Sequence, residues 1–107
     1  MRVLFASTLD PQYESGVDQL TELKEPSLYR VILHNDDYTS MEFVVMILQV
    51  VFGKSGDEAV KIMYDVHRNG TGIAGVYSRE IAETRVHIVH SKARENGYPL
   101  RCTMEKE

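Results

Sequence analysis

Cysteine is nearly absent from this chain: Cys102 stands alone. No intramolecular disulfide can form, so the fold must rest on its core, and the chain is expected in a reducing compartment, the cytoplasm. Lysine and arginine never form a run, and acids outnumber bases, for a net charge of −4 and a pI near 5.5. A nucleic-acid binder needs a basic stripe, so that class is set aside. Long apolar runs are missing too. The longest, 43–52, is interrupted by Gln49 and falls far short of the roughly 20 residues that cross a bilayer. The apolar start at 1–6 is closed by Asp10 and Pro11; it lacks a signal-peptide core and implies no export. There is no GxSxG, no glycine-rich phosphate loop, no EF-hand loop and no His-x-x-x-His pair. Internal repeats and low-complexity tracts are likewise absent.

What remains is one small domain. A chain of 107 residues with 43% hydrophobic content supports a single modest core. Segment 1–26 shows no sustained period, so a flexible tail is expected over 1–25 and a folded core over 26–107. A transient helical turn at 17–24, or a loosely docked arm, are the two readings open for the tail. The β-branched run Tyr29-Arg30-Val31-Ile32-Leu33 predicts a strand over 28–33. Thr39-Ser40-Met41-Glu42 matches a capping box with Thr39 as N-cap, and Tyr38 with Phe43 a hydrophobic staple. The helix that follows is apolar on more than one side and is expected between layers, ending at Gly53. Ser55-Gly56-Asp57-Glu58 is a second capping box, opening a helix closed by Gly70. A glycine-containing strand over 71–77 follows. Ser78 then caps a third helix with inner residues Ile81, Ala82, Val86, Val89 and Ala93, ended by Gly97 and Pro99. A last strand is expected over 100–104. The order β-α-α-β-α-β predicts an α+β two-layer sandwich, with a small, mostly antiparallel three-stranded sheet packed on three helices.

The residues able to carry chemistry gather at His34-Asn35-Asp36-Asp37, between a strand end and a helix start. The plain reading is an Asx turn. A cation site built from Asp36, Asp37 and His67 is the alternative, without a supporting spacing. His87 and His90 are read as exposed polar-face residues of the third helix. Met41, Val44, Met63 and Val66 are either core or the lining of an adaptable apolar pocket, because methionine repacks around varied partners. Asp37 and His67 could form an acid–base pair, but no nucleophile or oxyanion donor accompanies them.

The segment from Leu28 through Asn35-Asp36-Asp37-Tyr38-Thr39-Ser40-Met41-Glu42-Phe43-Val44 closely resembles the ClpS family, small bacterial adaptors of the ClpAP protease. The resemblance continues through Val66-His67 and Gly70, through Gly75-Val76-Tyr77 with Glu80 and Ala82-Glu83-Thr84, and through Pro99-Leu100 with Cys102-Thr103-Met104-Glu105. It runs from Pro26 to the C-terminus. Ser40 replaces a usual proline, His34 a usual aliphatic, Ala74 a common cysteine and Arg85 a common lysine.

The resemblance implies an adaptor that binds proteins with a free N-terminal Leu, Phe, Tyr or Trp and delivers them to the N-terminal domain of a ClpA-type unfoldase for degradation by ClpP. It implies an amino-group site at Asn35, Asp36, Asp37 and His67. The implied apolar pocket comprises Thr39, Met41, Val44, Met63, Val66 and Leu100, with Met41 as a gate against β-branched side chains. Glu80 and Arg85 are implied at the unfoldase interface. No cofactor, metal, nucleic acid or membrane is implied, and no catalysis. A small Asp–His hydrolase and a paralogue of narrower peptide preference are the alternatives. A ribosomal interaction module is a third, since the family's fold resembles the C-terminal domain of a ribosomal protein.

Overall fold

The computed structural model describes residues 27–107; the tail expected over 1–25 lies outside them. Six elements follow in order: β1 (Leu28–His34), α1 (Met41–Val50), α2 (Gly56–Asn69), β2 (Thr71–Ser78), α3 (Arg79–Glu95) and β3 (Arg101–Lys106). The strands form one wholly antiparallel sheet with β1 at its centre, in the order β2-β1-β3. That order did not follow from the sequence.

Alternation in β1 sets the layers. Val31 and Leu33 are fully buried, whereas Leu28 at the strand start is exposed, as expected for a strand with one covered face. α3 lies against all three strands, α2 packs on β2, and α1 packs on α2. Ile47 and Leu48 of α1, Val89 of α3 and Cys102 of β3 complete the dry centre. In β2 the register against β1 slips between Val31 and Ile32, leaving Ala74 as the extra, buried residue of a bulge. At Gly72 an added Cβ would stand 2.7 Å from Cγ2 of Val66 and 3.2 Å from the Ile62 carbonyl. The glycine therefore lets α2 lie close on β2, and it fixes where Val66 sits. Among the described residues no helix is long and apolar enough to cross a membrane.

Several local expectations need correction. The N-cap of α1 is Ser40, whose Oγ accepts from the Phe43 N–H at 3.1 Å. Thr39 is turned away because its own N–H and hydroxyl bond to Asp36, so Glu42 closes no capping box. Tyr38 is 78% exposed and cannot staple anything. Ile81 is also exposed, so it leaves the inner face of α3, which Ala82, Val89 and Ala93 hold. Ser78 caps α3 by backbone conformation alone. The second capping box forms as expected, with Ser55 and Glu58 bonded reciprocally, and Gly70 closes α2 at φ 90°.

His90 is not a free polar-face residue. Its Nε2 accepts the Cys102 N–H at 3.0 Å, so the proton of the neutral ring sits on Nδ1. Burial, then the charges of Arg94 and His87, hold its pKa below the usual imidazole value. The unfolded chain therefore binds the proton more readily than the folded one. Stability from this contact is complete above the unfolded value, about 6.5, and is lost as pH falls through the lower folded value. His34, lowered by burial and then by Arg101, acts in the same direction. The unfolding free energy in urea should fall between about pH 7.5 and pH 5.5. His90→Gln, which keeps an acceptor without a titrating ring, should flatten part of that slope; an unchanged slope would remove His90 from the account.

Candidate functional site

The loop between β1 and α1 is held at both ends. At its start, His34 Nε2 lies 2.7 Å from the Thr103 hydroxyl, and the Asn35 N–H donates to the Gly70 carbonyl at 2.9 Å. Because Gly70 follows α2 directly, this bond brings Asn35 beside the last turn of that helix, where His67 sits. Within the loop, Asp36 Oδ1 accepts from the N–H groups of Tyr38 and Thr39 at 2.8 and 2.7 Å, and Oδ2 accepts from the Thr39 hydroxyl at 2.8 Å. This is the expected Asx turn. Its desolvation pushes the Asp36 pKa up, but the bonds from Thr39 and Tyr38 outweigh it and hold the carboxyl below its ordinary range. Asp37, next in the chain, is exposed and has no hydrogen-bond partner among the described residues. The two adjacent acids thus differ: one is spent on the loop, the other is open.

A cavity of about 250 Å³ lies under this loop. Its polar rim is Asn35, Asp36, Asp37 and Thr39 from the loop and His67 from α2. Its apolar part is Met41 and Val44 of α1 with Met63 and Val66 of α2. Each helix supplies residues at helical spacing, which share a face. Val44, Met63 and Val66 are buried, whereas Met41 is 41% exposed and stands at the mouth. α1 presents its N-terminus here and α2 its C-terminus, of opposite partial charge. The negative charge at the rim therefore comes from the carboxylates, with no Lys or Arg in the lining to offset them. The arrangement can hold a cationic group at the rim and an apolar group below it. Among the described residues no three His, Cys, Asp or Glu side chains gather as a metal site.

Three of the named residues do not line this cavity. Leu100 is buried just before β3 and is not part of the cavity lining. Glu80 is exposed in the first turn of α3. Arg85 donates from Nη1 to the Val51 carbonyl at 2.7 Å and lays its guanidinium over the Tyr77 ring. A second groove, on the flank of α1, was not foreseen. Its signal was present in a helix that is apolar on more than one side, since Val45 and Met46 form part of it.

The ClpS family model, described as "ATP-dependent Clp protease adaptor protein ClpS", matches residues 24–103. A ClpS adapter protein of Desulforapulum autotrophicum is 55% identical over 100 residues, covering 92% of this chain and 96% of that one. One from Nitratidesulfovibrio vulgaris is 59% identical over 85 residues, covering 79% and 85%. Among solved structures, Agrobacterium tumefaciens ClpS2 bound to L-phenylalaninamide superposes with a TM-score of 0.75 at 42% identity, over 78% of this chain and 100% of that chain.

Proposed function

The chain belongs to the ClpS family of ATP-dependent Clp protease adaptors, and from that premise we propose that it binds the free N-termini of proteins beginning with Leu, Phe, Tyr or Trp. One observation carries the reading: the polar side chains of Asn35, Asp37 and His67 line one cavity together with the apolar Met41, Val44, Met63 and Val66. A protein α-ammonium offers N–H donors and a charge to that rim. Charge-assisted hydrogen bonds contribute roughly 1.5–3 kcal/mol each. The first side chain enters among Met41, Val44, Met63 and Val66, where burying a Leu or Phe contributes a further 1.5–3 kcal/mol or so. A polar side chain would be buried there without partners and is rejected. Met41, half-exposed at the mouth, gates the entry against side chains branched at Cβ. Asp36 and Thr39 hold the rim in shape. The ligand of the A. tumefaciens relative, an amino-acid amide with one aromatic side chain, has the two features this site would read.

The bound protein is then handed to a ClpA-type unfoldase for degradation by ClpP. Glu80 is the direct contact we propose on α3. Arg85, already engaged by Val51 and Tyr77, keeps that patch in place. The protein is a binder and makes or breaks no bond. Its lone, buried thiol suits the cytoplasm.

Delivery is tested with purified ClpA and ClpP and a fluorescent reporter beginning with Leu. Adding this protein should speed reporter loss at sub-saturating substrate, and Glu80→Lys should remove most of the gain while leaving peptide binding intact. Equal rates with and without the protein would overturn the delivery reading.

A further inference from the structure

Gly72 is a glycine for want of space, not for its backbone. The left-handed glycines of the described residues are Gly53, Gly70 and Gly97; the φ of Gly72 lies outside that region, so another residue could adopt it. A Cβ there would stand 2.7 Å from Val66 Cγ2, 3.2 Å from the Ile62 carbonyl oxygen and 3.4 Å from Ile62 Cγ2. Carbon atoms in contact rest about 3.5–4.0 Å apart, so the first of these contacts has to open. β2 resists retreat, because Gly72 is buried and paired with the fully buried Leu33 of the central strand. Val66 cannot swing its methyl aside, since a β-branched residue on a helix is held in one dominant χ1 rotamer. The direction left open is forward. Val66 is a wall of the cavity under the β1–α1 loop, and Gly72 stands behind it without lining the cavity itself.

We propose that Gly72 is a positioning residue that sets the depth of this cavity through Val66, and so decides whether the widest aromatic first side chains are admitted. It rests on the reading of the cavity as the seat of a free amine and the first side chain. A methyl group at position 72 presses Val66 into a space of about 250 Å³. Packed interiors yield little to such overfilling. Leucine, the smallest of the four side chains, still fits the shallower space, whereas tryptophan, the largest, does not. Asn35 and Asp37 stand on the loop between β1 and α1, away from the Gly72–Val66 contact, so the amine is held as before. The residue thus grades side chains by size and leaves the demand for a free amine untouched.

Binding of L-leucinamide, L-phenylalaninamide and L-tryptophanamide to the full chain tests this, since each carries only an amine and one side chain. Gly72→Ala should weaken L-tryptophanamide about tenfold relative to L-leucinamide, whose own affinity should stay within about threefold, with L-phenylalaninamide between them. Val66→Ala removes the methyl that the new Cβ would strike. In that background Gly72→Ala should leave the ratio of tryptophanamide to leucinamide affinity within about twofold, the mark of two coupled residues. Should Gly72→Ala alone disturb the fold, the double variant decides: it should fold and match the ratio of Val66→Ala. An unmoved ratio, or an equal loss for all three amides, would make Gly72 a structural residue only and overturn the proposal. A shift that persists beside Val66→Ala, or a double variant that does not fold, would overturn the route through Val66 and the proposal with it. If the wild-type protein bound none of the amides, the reading of the cavity itself would fail, a result distinct from wild-type binding with an unmoved ratio.

Discussion

Asp37→Ala should weaken binding of a Leu-initiated peptide by about 10- to 150-fold, the equivalent of one charge-assisted hydrogen bond of roughly 1.5–3 kcal/mol. The same substitution should leave the melting temperature unchanged. Asp37 is exposed and has no hydrogen-bond partner among the described residues, and substitutions at such surface positions stay within about 0.5 kcal/mol. A loss of affinity without a loss of stability is the mark of a group held ready for a ligand. An N-acetylated peptide provides the internal control, because it lacks the charge that Asp37 would meet. Its residual binding should be indifferent to Asp37→Ala. If both peptides lost the same factor, Asp37 would be shaping the loop rather than meeting the amine.

Asp36→Ala should behave in the opposite way, with stability falling first. Three bonds end on its carboxylate, and the variant leaves the Tyr38 and Thr39 N–H groups to water. Because the loop is partly solvated, the loss is about 1–2 kcal/mol. That lowers the melting temperature by roughly 4–8 °C per kcal/mol in a domain of this size. The acid limb adds a second signature. The Asp36 pKa is lowered in the folded state, burial being outweighed by the bonds from Thr39 and Tyr38. Its contribution is therefore full above the unfolded value, about 3.9, and is lost as pH falls through the folded value. The gap between wild type and Asp36→Ala should close in that acid range. A variant as stable as wild type at neutral pH would contradict the role of the Asx turn.

The contrast between these neighbours shows where sequence reading ends. Asp36 and Asp37 are the same residue type at adjacent positions. Only the loop geometry reveals that one is consumed by Thr39 and Tyr38. The helix at Ser55–Gly70 was legible because both of its ends carry local chemistry, a reciprocal Ser–Glu cap and a left-handed glycine. The N-cap of α1 falls one residue after the one the sequence suggests because Thr39 and Ser40 are both good caps, and the competing bond to Asp36 is decided in three dimensions. His90 looked like a surface residue because nothing local says that β3 will place the Cys102 N–H against it. The sheet order and the bulge at Ala74 depend on pairing across distant segments, which periodicity does not encode.

The central claim is that this protein reads a free amine and an unbranched bulky side chain together. Fluorescence anisotropy with one labelled Leu-initiated peptide, its N-acetylated twin and its Val-initiated counterpart tests it most directly. The account predicts saturable binding of the first, and a loss of about 100-fold or more on acetylation, since the ammonium bonds vanish and Asp37 is left unpaired. It also predicts a clear loss with Val, whose Cβ branch meets Met41. Acetylated and free peptides binding within about threefold of each other, a difference under 1 kcal/mol, would contradict it and leave an apolar groove with no clamp.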